Sequence, residues 1–286
     1  MAGKPLLEVD RLRVRFATDH GVLDAVDGIS FTVGREKLGI VGESGSGKSM
    51  TGRAILKLMP PRAKVEAERL RFEEIDLLNA DERQMLRVRG RRIAMILQDP
   101  KYSLNPVVPV GEQISEAYRI HHKAGRREAA ERALAMLDAV HIRDPARVFR
   151  LYPHEVSGGM GQRIMIAMML IPEPALLIAD EPTSALDVTV RLEILGLLDE
   201  MVERRGLGII FISHDLNLVR RFCDRVLIMY AGRIVEALPA ARLDQAEHPY
   251  TRGLLAALPR VHARRRRLAV LTRDPRWSEE PSIAAP

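Results

Sequence analysis

Residues 42 to 49 read Gly42-Glu43-Ser44-Gly45-Ser46-Gly47-Lys48-Ser49, the spacing G-x-x-x-x-G-K-[ST]. Glycines so placed let successive backbone N–H groups curl round phosphate oxygens, and a helix starting directly behind adds the positive end of its dipole. Lys48 is placed to reach the β and γ phosphates, and the Ser49 hydroxyl to bind Mg²⁺. The candidate cradle runs from Gly42 to Met50. A Gly/Ser-rich loop matching by chance is the plainer alternative. The apolar run Leu38 to Val41 before it and the helical pattern Met50 to Met59 after it argue against chance. Alone, the motif speaks of kinases, GTPases and ATPases alike.

A second chemical feature is the apolar run Leu176-Leu177-Ile178-Ala179, which ends in Asp180 and Glu181. A Mg²⁺ ion at phosphates needs a carboxylate, and Asp180 at a strand tip can supply it. Glu181, one residue on, is placed to polarise an attacking water as general base. An acidic strand end facing solvent is the bland alternative, and a common one.

These groups need elements to hold them. Leu12 to Phe16 and Ile29 to Val33 alternate apolar and polar residues, as half-exposed strands do. Leu38 to Val41, Leu176 to Ala179 and Ile209 to Ile212 are short apolar runs that fit fully buried parallel strands. Each precedes a turn and a helical pattern, which predicts an α/β sheet flanked by helices. From Val110 to Asp138 the pattern is helical and charged, predicting a helical lobe inserted between strands. After about Ala237 the chain turns basic and Pro-punctuated, predicting a peripheral appendage with mobile last residues.

Composition narrows the field. An aromatic share of 4% speaks against a stacking platform for single-stranded nucleic acid. A formal charge of +6 suits polyanions without choosing among them. The single cysteine, Cys223, excludes an internal disulfide and reads as a core residue. The N-terminus reads without a signal peptide. No apolar stretch approaches the roughly 20 residues that span a bilayer; Ile164 to Ile171 stops at Pro172. Arg264 to Arg267 reads as a solvated charge run, or less simply as a membrane-surface or nucleic-acid patch.

Between the two acid-and-phosphate motifs stands Val156-Ser157-Gly158-Gly159-Met160-Gly161-Gln162-Arg163. A Ser-Gly-Gly cap on a helix from about Met160 to Leu170 would expose N–H groups and form a second anion site. The segment resembles the signature motif of the ABC (ATP-binding cassette) transporter family, usually written LSGGQ. Gln98 in Leu97-Gln98-Asp99-Pro100 resembles the family's Q-loop, Ser184 to Asp187 its D-loop and Ile212 to Asp215 its H-loop. The resemblance implies a catalytic set of Lys48, Gln98, Glu181 and His214, with His214 holding the γ-phosphate. It implies Mg²⁺ on Ser49, Gln98 and Asp180. Ser157, Gly158 and Gly159, with Asp187, would close over ATP held by another ATPase subunit. Phe16 falls where the family stacks an aromatic on adenine, although alone it reads as core.

Two longer segments are similar to the peptide/nickel importers within that family: Gln98 to Pro106, and His248-Pro249-Tyr250-Thr251-Arg252 followed by Leu254 to Pro259. The chain departs from the pattern in three places. No cysteine follows the second segment, so the iron–sulfur cluster of many members is not expected; Met160 stands for Gln and Val156 for Leu in the signature. The resemblance implies an α/β P-loop NTPase core at 1–97 and 171–240 with an antiparallel β subdomain. An inserted helical subdomain at 98–170 and a C-terminal extension at 241–286 complete it. It implies an ATPase that powers import of di- or oligopeptides or a related small solute. Its partners would be a second ATPase subunit, two transmembrane permease subunits and an extracytoplasmic binding protein, with the chain peripheral on the cytoplasmic face of the membrane. The basic charge suggests instead a soluble ABC ATPase acting on DNA or ribosomes. Such members carry zinc cysteines, long coiled coils or paired cassettes, none of which is read here, so no nucleic-acid partner is expected. The cargo stays unread.

Overall fold

The computed structural model describes residues 4–19, 21–97, 103–184, 186–258, 274–278 and 281–285. The chain forms two compact units, one of residues 1–80 with 210–286 and one of residues 81–209.

The first unit opens with an antiparallel hairpin of β1 (Leu7–Thr18) and β2 (Gly21–Val33). Leu7, Val9, Leu12 and Val14 are buried while Arg11 and Arg13 stay exposed, the pleated alternation that makes one face of a sheet core. The strands run longer than the alternating segments at 12–16 and 29–33. Backbone pairing continues across irregularities near Arg11, where φ is 47°, and bulges there do not break the ladder. β4 (Ala63–Glu66) and β5 (Arg69–Phe72) pair with β1, and β6 (Ile75–Asp76) with β5. Between them lie β3 (Lys37–Val41), apolar and buried from Leu38 on, and α1 (Lys48–Ile55). That helix starts two residues before the pattern at Met50 and stops short of Met59. Its start follows from Gly47, whose backbone passes straight into it, and Lys57 at φ 52° closes it.

In the second unit α2 (Glu82–Val88) carries a capping box of Asp81 and Gln84. β7 (Ile93–Ile96) then pairs in parallel with β8 (Leu176–Asp180). The helical stretch between them is α3 (Val110–His122), α4 (Arg126–Ala139), the short α5 (Pro145–Val148) and α6 (Gly158–Leu170). The continuous pattern at 110–138 is thus two helices, broken where Lys123 turns left-handed at φ 53°. After β8 comes α7 (Val188–Arg205), which Asp187 caps and Gly206, at φ 63°, ends.

The chain re-enters the first unit within β9 (Gly208–Ser213) and continues through α8 (Leu216–Phe222), β10 (Arg225–Tyr230) and β11 (Arg233–Pro239). β10 lies parallel to β3 and antiparallel to β11. Arg225 fixes this join by pairing with Glu36 at 2.8 Å. Burial alone would raise the Glu36 pKa; hydrogen bonds from Arg225 and the Gly34 N–H, with the Arg225 charge, outweigh it and hold the carboxyl below its ordinary value.

Cys223 is buried at the end of α8, and burial, helped by Asp224, pushes its thiol far above the usual range. The native chain is therefore expected to react with a thiol-specific dye far more slowly than the denatured chain at mildly alkaline pH. Equal rates would contradict the core assignment.

The C-terminal segment corrects the expectation of a peripheral appendage. Within α9 (Pro249–Ala257) Tyr250 and Thr251 are fully buried, Trp277 is 8% exposed, and β12 (Ala284–Ala285) pairs in parallel with β2. Aromatic burial drives this docking. The arginine run at 264–267 lies outside the described residues.

Candidate functional site

In the first unit the loop from Gly42 to Ser49 joins β3 to α1. Lys48 is 8% exposed, and its Nζ donates to the Gly42 carbonyl at 2.8 Å, the Glu43 carbonyl at 2.7 Å and Ser46 Oγ at 3.3 Å. The lysine thus folds back across its own loop. Two glycines permit the path. A Cβ on Gly42 would lie 2.2 Å from the Met229 carbonyl oxygen, and one on Gly47, at φ 99°, would lie 2.4 Å from that of Ala25. Gly47 brings no side chain to cap α1, and a helix start of that kind, at Lys48, Ser49 and Met50, favours an anion. The turn between β10 and β11 steadies the loop, since the Gly232 N–H donates to the Ser46 carbonyl at 3.1 Å. Ser44 and Gly45 at the loop crest are exposed.

The same unit holds Phe16 and His214. Phe16 sits near the end of β1 opposite Leu23 and is half-buried rather than core, leaving ring area for a flat ligand. His214 follows the last residue of β9 and is exposed. Asp215 caps α8 behind it through the Leu218 N–H at 3.1 Å.

In the second unit Asp180 ends β8 and is 2% exposed. Glu181 follows in the left-handed region at φ 52°, a conformation costing roughly 1–2 kcal/mol for a residue with a Cβ. Its carbonyl accepts from Gln162 Nε2 at 3.2 Å, Ser184 Oγ at 3.1 Å and the Ser184 N–H at 3.3 Å. Those bonds turn the residue out of the strand direction. Strain of this kind concentrates where geometry serves function. Gln162 is fully buried on α6; its place in the Val156 to Arg163 segment signalled it, but no role was legible there.

Ser157 caps α6 by accepting the Met160 N–H at 3.3 Å. The helix begins at Gly158, two residues earlier than the pattern suggested, because the N-cap side chain bonds the third helical residue. Ser157 and Gly158 are exposed. Asp187 is exposed and spends its carboxylate on the Val190 N–H at 3.0 Å. Gln98, with residues 99–102, lies outside the described residues.

Tyr250 enters the site without having been assigned to it. Its hydroxyl oxygen accepts the Glu43 N–H at 3.0 Å across 207 residues of sequence. The His-Pro-Tyr-Thr segment was recognisable, yet nothing in its spacing pointed to the phosphate loop.

The family model for ABC transporters matches residues 26–184. The chain is 48% identical over 258 residues to the oligopeptide transport ATP-binding protein OppD of Salmonella typhimurium, covering 90% of this chain and 77% of that one. It is 46% identical over 261 residues to the dipeptide transport ATP-binding protein DppD of Bacillus subtilis, with coverage of 90% and 77%. Among solved structures the dimeric cassette MJ0796 superposes with a TM-score of 0.75 at 24% identity, over 82% of this chain and 98% of that chain, a likeness of fold. By sequence and by fold, this chain belongs to the ABC transporter family.

Proposed function

We propose that the chain is the ATP-hydrolysing subunit of an importer for di- or oligopeptides or a related small solute. The observation that carries it is the wrapped loop, in which Lys48 crosses to the Gly42 and Glu43 carbonyls at the uncapped start of α1. The names and identity of the oligopeptide and dipeptide relatives support the cargo class.

In this reading the loop from Gly42 to Met50 cradles the phosphates, Lys48 neutralises charge on the β and γ groups, and Phe16 stacks on adenine. A hydroxyl and a carboxylate are the hard oxygen donors that Mg²⁺ takes. Ser49 and Asp180 fit that ion, with Gln98 as a further ligand; bound there, it would neutralise phosphate charge. Glu181 accepts the proton of the attacking water, and His214 and Gln98 orient the γ-phosphate and that water. Ser157, Gly158, Gly159 and Asp187 serve the nucleotide of a partner ATPase, so closure of the pair couples ATP to movement of two permease subunits. The functional division is a nucleotide-binding core at 1–97 and 171–240, a signature lobe at 98–170 and an extension at 241–286. Among the described residues no helix is long and apolar enough to cross a membrane. The reading assigns the chain to the cytoplasmic face, beside permeases that span it and a binding protein beyond it.

The test is to purify the assembled complex, reconstitute it in vesicles and measure phosphate release with its binding protein loaded with a dipeptide or an oligopeptide. Hydrolysis is expected to rise with the peptide-loaded protein. Hydrolysis indifferent to any loaded binding protein would reject the importer assignment.

A further inference from the structure

The peptide unit that joins Gly42 to Glu43 is held at both ends. Its N–H, that of Glu43, donates to the Tyr250 hydroxyl at 3.0 Å, and its carbonyl, that of Gly42, accepts from Lys48 Nζ at 2.8 Å. Tyr250 itself has little room to move. It is fully buried, its ring 4.6 Å from that of Tyr230 and 6.0 Å from that of Trp277. Trp277 also meets Tyr230 at 5.9 Å and His248 at 6.1 Å. His248 caps α9 by accepting the Tyr250 N–H on Nδ1 at 3.2 Å. The Glu236 carboxylate on β11 in turn accepts the N–H groups of Glu247, at 2.7 Å, and His248, at 3.3 Å. A chain of contacts therefore runs from β11 through the start of α9 to the phosphate loop, all inside the first unit.

We propose that Tyr250 is a positioning residue for the nucleotide site: it fixes the Gly42–Glu43 peptide and, through the Gly42 carbonyl, the place of the Lys48 ammonium. The proposal rests on the reading of the loop as an ATP site. The physical reason is competition for one cation. Lys48 has three N–H donors, and phosphate oxygens draw on the same donors that now reach the Gly42 and Glu43 carbonyls. A Gly42 carbonyl whose peptide N–H is anchored from behind by Tyr250 stays where Lys48 can share itself between carbonyl and phosphate. Without the anchor the peptide can turn, and the ammonium loses its fixed point. The same link runs outward, so binding at the loop strains the Tyr250 contact and changes the packing against Trp277. The C-terminal segment thereby reads the state of the nucleotide site.

The test is Tyr250→Phe in the full chain, which keeps the ring and its stacking and removes only the hydroxyl. Steady-state ATPase gives KM and kcat, and emission of Trp277, the single tryptophan of the sequence, is titrated with ATP. In the unmodified chain ATP is expected to change Trp277 emission. In Tyr250→Phe the KM for ATP rises roughly two- to tenfold, the change expected for one neutral hydrogen bond, kcat changes less, and the emission response at saturating ATP is lost. A variant with lower thermal stability but unchanged KM and an unchanged emission response makes Tyr250 a packing residue only and overturns the proposal. If the unmodified chain binds and hydrolyses no ATP, the ATP-site reading and the proposal both fail; if it hydrolyses ATP and only the variant effects are missing, the proposal alone fails. Should Tyr250→Phe not fold, Glu236→Ala loosens the same anchor one step further out and is expected to raise KM in the same direction. An unchanged KM there overturns the coupling.

Discussion

Glu181→Gln is expected to bind ATP as the unmodified chain does and to lose hydrolysis by about 10²–10⁴-fold, the usual contribution of a positioned general base. The substitution is nearly isosteric and leaves the backbone alone. The left-handed turn at φ 52° is held by three bonds to the Glu181 carbonyl, from Gln162 and Ser184, none of which involves the carboxylate. The amide therefore stands where the carboxylate stood but cannot accept a proton from water. ATP should consequently trap the variant as a closed ATPase pair, visible by size-exclusion chromatography, while phosphate release stays near background. Turnover close to normal would remove Glu181 from the role of base and direct attention to His214 or to a water activated by phosphate itself.

Gly47→Ala is expected to lower kcat/KM for ATP by about 10²-fold, the scale of a misplacement near 1 Å. Two penalties act together. The backbone at Gly47 has φ 99°, where a Cβ is strained, and that Cβ would lie 2.4 Å from the Ala25 carbonyl oxygen. The neighbour is backbone within β2, so no rotamer change relieves the overlap; the loop must shift, and the start of α1 with it. Gly45→Ala supplies the control. Gly45 also has positive φ, at 82°, but a Cβ there meets nothing within 4 Å. It should show the strain without the displacement, and a much smaller loss. Nucleotide affinity measured with a fluorescent ATP analogue, beside thermal unfolding, separates the two. Equal effects at both positions would show that strain alone, and not the contact with Ala25, governs the loop.

The phosphate loop, the buried strands at 38, 176 and 209, and the Ser157 cap were all legible in the chain. Each is a local pattern: residue types at fixed spacing dictate strand, turn or helix start over a few residues. The pattern at 110–138 concealed a break at Lys123, because a single left-handed residue leaves the apolar periodicity around it intact. Composition made the tail look peripheral, since basic and Pro-rich stretches usually are. It could not show that Tyr250 and Trp277 would find Tyr230.

By itself, then, the sequence determined the local patterns: a loop with phosphate-cradle spacing, an acid pair behind an apolar strand, and a Ser-Gly-Gly helix cap, in the order of one family. Tertiary structure alone decided how those groups are held. The Gln162 side chain reaches the Glu181 carbonyl across 19 residues, and the Tyr250 hydroxyl reaches the Glu43 amide across 207. Spacing along a chain limits what neighbours can do within a turn or a strand. Which distant donor meets which acceptor depends on packing, where burial aligns groups that have no covalent reason to meet.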